Sequence, residues 1–226
     1  MLDPCLISII PSFSLYNIRI YFLIKTYLSI KMKFTLATLL ATAVAAAPAP
    51  SNLSFTMMSL RSASPVHFGS VNASGQKFYI GLEKPSSYCP TPPVPASSCP
   101  SGKYTSVTFG SGYSSLNVAV PGGQRIYIAP DGSLSYTQAH SAYIPPGSTQ
   151  DGFILGPKNK DNGLRPITHK KGGFVACPAK KNVGPWKVYV GQPASKDVPS
   201  GCASDCLGFS NQAVEFTSEQ FGAWQY

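Results

Sequence analysis

The chain has 226 residues, long enough for a domain with a real apolar core. Its 18 basic side chains exceed its 9 acidic ones, for a net charge of +9, and such an excess suits an anionic partner. Nucleic acid is disfavoured as that partner, because the chain holds no recognition motif and carries an export signal.

Residues 1–31 are rich in Ile, Leu, Tyr, Phe, Ser, Lys and Asn, the residues of A/T-rich codons. Pro11, Asn17 and Arg19 interrupt their apolar run, which makes a poor transmembrane span. We expect Met32 to be the true start and 1–31 to be a gene-model extension. Residues 32–46 have the layout of a cleaved signal peptide. A basic head (Lys31, Lys33) leads into a short apolar core, then into small residues up to Ala47-Pro48. That core is shorter than the roughly 20 residues a spanning helix needs, so no stable membrane insertion is expected of the mature form. The expected product is a single secreted all-β domain over 47–226. Removing 46 residues from 226 leaves 180, and losing Arg19, Lys25, Lys31, Lys33 and Asp3 leaves 14 basic against 8 acidic residues, or +6.

No stretch of a dozen mature residues shows helical periodicity. Short alternating runs recur instead, separated by Gly- and Pro-rich turns. Phe78, Ile80 and Leu82 share one face, as do Leu116, Val118 and Val120, then Ile126 and Ile128, then Trp186, Val188 and Val190. The clearest hairpin runs from Gln124 to Thr137 and reverses at Pro130-Asp131-Gly132. Lys77-Phe78-Tyr79-Ile80, Arg125-Ile126-Tyr127-Ile128 and Lys187-Val188-Tyr189-Val190 share a basic–apolar–Tyr–apolar pattern at intervals of 48 and 62 residues. The pattern suits a repetitive β architecture, or simply three half-buried strands. The expected fold is a single disulfide-stabilised β-sandwich, with a β-trefoil-like fold or a small β-barrel as alternatives.

Losing Cys5 leaves Cys89, Cys99, Cys177, Cys202 and Cys206, which an exported chain should mostly bridge. Cys89–Cys99 is the favoured bridge, because it closes the Pro-rich segment 90–95, which has no structure of its own. Cys177 pairs with Cys206 or Cys202, leaving one thiol free or intermolecular. The cysteine spacing is not that of a zinc site, and His67, His140 and His169 are scattered, so neither metal nor cofactor is expected. Asn52-Leu53-Ser54 and Asn72-Ala73-Ser74 are candidate N-glycosylation sites.

Half of the mature cations fall in one segment: Lys158, Lys160, Arg165, Lys170, Lys171, Lys180 and Lys181. They form a candidate contact for an anionic partner, against the plainer alternative of a solvated loop. Catalytic templates are missing. There is no Gly-x-Ser-x-Gly elbow, no His-Glu-x-x-His and no phosphate loop, and the acidic residues show no obvious general acid/base pair. No catalytic residue is assigned. His140 is read as structural. Tyr104, Tyr113, Tyr127, Tyr136, Tyr143 and Tyr189 are candidates for stacking on sugars.

From Met57-Met58-Ser59-Leu60-Arg61 through Val66-His67-Phe68, and again at Asn72 to Leu82, the chain resembles fungal secreted cell-wall proteins of the PhiA type. The resemblance returns at Val120 to Ile128, Asp131 to Thr137, Phe174 to Pro178, Trp186 and Asp205-Cys206-Leu207-Gly208-Phe209. It implies a non-enzymatic, wall-associated structural or interaction protein, linked to conidium and phialide development and described in part as IgE-binding and allergen-like. It also implies Cys177–Cys206 over Cys177–Cys202. Cys202 and the highly charged segment depart from the family pattern. The expected partner is a cell-wall polysaccharide or mannoprotein. The last residues lack the apolar tail of a GPI signal, so non-covalent retention or release is expected. A secreted carbohydrate-binding module or effector is the alternative reading, and an unrecognised wall-active hydrolase a third.

Overall fold

Alternation of apolar and polar side chains sets the strands. In Lys77–Ile80, Phe78 and Ile80 are buried while Lys77 and Tyr79 stay partly exposed, the period-2 signature of a strand with one face on a core. The computed structural model describes residues 53–217 and 220–226. The proposed extension, the signal peptide and Asn52 lie outside them. Twelve strands form within the described residues. They are β1 (Ser54–Leu60), β2 (Val71–Ser74), β3 (Lys77–Ile80), β4 (Val107–Phe109), β5 (Ser114–Leu116) and β6 (Gln124–Ile128). After them come β7 (Leu134–Tyr136), β8 (Phe153–Leu155), β9 (Arg165–His169), β10 (Phe174–Lys180), β11 (Val183–Val190) and β12 (Leu207–Phe216).

The strands pair in the order β1-β4-β5-β6-β7-β3-β11-β10-β12, and β12 returns to pair with β1. That ring is a closed antiparallel barrel of nine strands. β9 and β8 extend from β12, and β2 pairs with β3 outside the ring. The β-sandwich expected from the sequence is therefore corrected, although the all-β class stands and a barrel was among the alternatives. A sandwich leaves its terminal strands as open edges. Here the first and last strands share a seven-pair ladder, from Ser54 opposite Phe216 to Leu60 opposite Ser210, and the ring has no edge.

A barrel of about this size is filled by its own side chains. Phe55, Phe78, Ile80, Ile126, Ile128, Leu134, Tyr136 and Val188 belong to one buried cluster. Full burial of each aliphatic side chain contributes about 1.5–3 kcal/mol. Tyr136 meets Phe78 edge-on at 5.4 Å between ring centres, a favoured aromatic geometry. The β6–β7 hairpin reverses through Gly132, whose φ of +83° suits glycine and whose N–H donates to Ala129 O at 2.9 Å. The C-terminal tail docks against the ring. Buried Gln124 donates to Tyr226 O at 2.9 Å and accepts from Tyr226 N–H at 2.8 Å.

Two disulfides lie between described residues. Cys89–Cys99 closes the Pro-rich loop, and Cys177–Cys206 ties β10 to the residue preceding β12. Cys177 is buried with Val175, Tyr189 and Val198 in a second, smaller cluster, with Cys206 packed against it. Cys202 is also disulfide-bonded, so of its two readings, free or intermolecular, the free thiol does not hold. No described cysteine is free.

The two bridges close loops of sequence separation 10 and 29. On the chain-entropy model, replacing Cys177 and Cys206 together by alanine should cost about 3–4 kcal/mol, and the Cys89/Cys99 pair about 2–3 kcal/mol. Urea denaturation of both double variants checks the magnitudes and their order.

Candidate functional site

The three basic–apolar–Tyr–apolar tetrapeptides form β3 and parts of β6 and β11. They are not separate lobes. β7 links β6 to β3, and β3 links to β11, so alternation brings their second face together in one quadrant. Tyr127 lies opposite Ser135, Ser135 opposite Lys77, and Tyr79 opposite Lys187.

Lys77 Nζ donates to Ser135 Oγ at 2.8 Å and to Ser133 Oγ at 3.0 Å. The Ser133 hydroxyl and N–H both donate to Asp131 Oδ1, at 2.6 and 2.9 Å. Lys187 Nζ lies 3.5 Å from Asp131 Oδ2 and 4.9 Å from the centre of the Tyr189 ring. The Tyr189 hydroxyl donates to Asp197 O at 2.7 Å. Burial pushes the Asp131 carboxyl up, but the Ser133 bonds and the two lysines outweigh it and hold the group below its ordinary value. Burial lowers the Lys77 ammonium; Asp131 opposes this and Lys187 reinforces it. Burial likewise pushes up the hydroxyls of Tyr127 and Tyr189. A lysine beside a serine has the outline of a nucleophilic dyad. Ser133 and Ser135 are both fully buried, however, and offer a substrate no approach. The constellation clamps strands. Sequence reading missed the serines; the Asp-Gly-Ser turn after β6, which suits an Asx-type bond, was their one signal.

The basic segment does not form one patch. Lys158, Lys160 and Arg165 lie by the β8–β9 connection, Lys170 and Lys171 at the β9–β10 turn, and Lys180 and Lys181 at the β10–β11 turn. β9 pairs with 211–213 of β12 and β10 with 207–209, so these positions follow the length of β12. From Leu207 to Glu215 alone that is about 25 Å at the usual rise per residue. Lys158 pairs with Glu215 at 2.9 Å and Lys170 with Asp151. The Lys170 hydrogen bond holds the Asp151 carboxyl below its ordinary value. Arg165 donates to Gly156 O at 3.1 Å and lies over the Phe55 ring. Lys160, Lys171, Lys180 and Lys181 are exposed and form no ion pair among the described residues.

The remaining candidates separate. Tyr127, Tyr136 and Tyr189 are buried, whereas Tyr104, Tyr113 and Tyr143 are exposed. His140 is exposed at φ +60°. His169 is buried and accepts from Lys171 N–H at Nδ1, which leaves Nε2 to donate to Asp151 O at 3.0 Å; burial lowers its pKa. Among the described residues no group of three or more His, Cys, Asp or Glu is placed to hold a metal ion. Asn72 is 6% exposed, and its side-chain amide donates to Leu82 O at 3.1 Å.

The profile of the PhiA-like secreted protein family matches residues 55–226. The chain belongs to that family. It is also similar to an uncharacterized secreted protein of Arthroderma benhamiae, 37% identical over 163 residues, which cover 69% of this chain and 76% of the relative. No solved structure matches. The PhiA-like chain is thus a secreted fungal protein.

Because Asp131 has a folded pKa below its ordinary 3.8, its stabilisation is complete above that value and is lost as pH falls through the folded pKa. Asp131→Asn should cost about 1–2 kcal/mol at neutral pH and flatten the acid limb of a stability–pH curve, measured by urea denaturation. The Asn72 amide is engaged in the fold, so peptide mass mapping of secreted protein should find Asn72 without glycan. A glycosylated Asn72 peptide would contradict the structure.

Proposed function

We propose that this PhiA-like protein is a non-enzymatic interaction protein of the fungal cell wall, retained there by charge. The observation that carries the reading is the distribution of the four exposed lysines of the basic segment that form no ion pair among the described residues. Lys160, Lys171, Lys180 and Lys181 are exposed and spread over successive turns, an arrangement suited to an extended anionic polymer more than to a compact ligand. The partner would be a wall polysaccharide or mannoprotein bearing anionic groups. A link to conidium and phialide development, and the allergen-like, IgE-binding character, belong to the same proposal and rest on family resemblance.

Charge-held retention is screened by salt, since the Debye length falls from about 10 Å at 0.1 M to about 3 Å at 1 M. The protein should sediment with isolated walls at low ionic strength and elute as sodium chloride rises. A variant with all four lysines replaced by glutamine should elute at markedly lower salt. Retention that survives 1 M salt, or an unchanged elution profile for the variant, would sink the proposal.

A further inference from the structure

A second surface feature is independent of the lysine-bearing turns. A groove of about 460 Å³ opens where β1, β2 and the end of β12 meet the segment 103–105. That volume lies in the range of about 300–1,000 Å³ typical of small-ligand sites. Its floor is apolar and buried, from Met57, Val71 and Phe216. Glu83, Glu215 and Lys103 are among its lining residues. Tyr104 stands among them with 51% of its surface exposed, its ring 6.2 Å from that of Phe216 and tilted by 60°.

The groove is built on fastened chain. The Tyr226 hydroxyl donates to Tyr104 O and accepts from Ser106 N–H at 3.1 Å. Thr105 Oγ1 accepts from Ala73 N–H at 2.8 Å, which ties the segment to β2. Lys158 orients Glu215 through a 2.9 Å ion pair. The backbone of Tyr104 is therefore held while its ring remains available, an arrangement that lowers the entropic cost of binding.

These groups select a ligand class. Two carboxylates disfavour an anion, and the polar rim disfavours a lipid. Glu83 and Glu215 are matched in number by Lys103 and Lys158, which leaves no charge excess for an ionic ligand. A sugar ring fits both demands. Its C–H face stacks on an aromatic ring, and its hydroxyls donate to carboxylates and accept from an ammonium. We propose that this groove binds a neutral oligosaccharide, with one pyranose ring on Tyr104 and its hydroxyls bonded to Glu83, Glu215 and Lys103. The proposal does not rest on charge-held wall retention.

Titration calorimetry of the mature protein with gluco-, manno- and chito-oligosaccharides distinguishes the possible sources of such a ring. One series should bind, with an affinity nearly insensitive to sodium chloride. Tyr104→Ala and Glu83→Gln should each weaken it at least about tenfold. The variant lacking the four lysines should bind the same oligosaccharide as the native chain does, so failure of one proposal is separable from failure of the other. Should Tyr104→Ala fold poorly, Ser70→Trp fills the groove from an exposed position and should abolish binding in a chain with a native circular dichroism spectrum. Absence of binding to all three series at millimolar concentration overturns the proposal. So does binding that survives Ser70→Trp together with Glu83→Gln.

Discussion

The structure depends on one ladder, the pairing of β1 with β12. It joins residues up to 162 positions apart, and the Ser54 hydroxyl reinforces it by donating to Phe216 O at 3.2 Å. Closing so long a loop carries an entropic cost that grows only logarithmically with length, and seven residue pairs with apolar side chains on the inner face offset it. The ladder turns Phe55 inward, where it meets Phe109 at 5.8 Å. It also leaves β12 with a second edge, on which β10 and β9 follow one another. The lysine-bearing turns and the groove beside Tyr104 both take their positions from β12, the first along its outer neighbours and the second at its end.

The ring's thinnest seam is β3–β7, where Lys77 opposite Ser135 is the one register pair. The Lys77 bonds to Ser133 and Ser135 fall at that pair. The Lys187–Asp131 ion pair beside them is partly buried and contributes little net stability, because desolvation offsets its attraction. The value of these contacts is register. A slip of one residue would turn Lys77 and Tyr79 into the core and Phe78 and Ile80 out of it. The Asp131 turn, the two serines and the two lysines hold that seam against such a slip where backbone pairing alone is short.

Strand positions were legible because burial on one face leaves a period-2 trace in the residues themselves. Phe78/Ile80, Ile126/Ile128 and Trp186/Val188/Val190 all face the interior as their alternation requires. The same alternation put Lys77, Tyr79, Tyr127, Lys187 and Tyr189 on the other face, and the shared tetrapeptide reflects a common environment in adjacent strands. Closure was not legible. Whether the first and last strands end as two open edges or pair with each other depends on contacts between Ser54–Leu60 and residues 210–216, and neither segment carries a local mark of the other. The basic segment misled for the same reason. Seven cations close in sequence lie along successive strand connections, and the antiparallel strands between them carry them apart. Of the groove only Tyr104 was legible, as one of six candidates for stacking on sugars; its meeting with Glu83 and Glu215 was not, since these come from distant parts of the chain.

The two proposed surfaces would operate through different forces. Unpaired lysines on separate turns act over a Debye length and distinguish little among polyanions. Loss of any one leaves the others in place, so their attraction is graded and salt-sensitive. A groove with a fixed aromatic ring would act only at contact, and its selectivity would come from hydroxyl geometry against Glu83 and Lys103. Lys158 lies between the two. It stands at the end of the basic segment nearest the groove, and its charge is committed to Glu215. Were Lys158 to leave Glu215 for a polyanion, a bare carboxylate would remain at the groove, poorer in orientation but still an acceptor. The ion pair therefore separates the electrostatic surface from the contact surface, and the unpaired lysines can change partners without altering the floor on which a neutral ligand would sit.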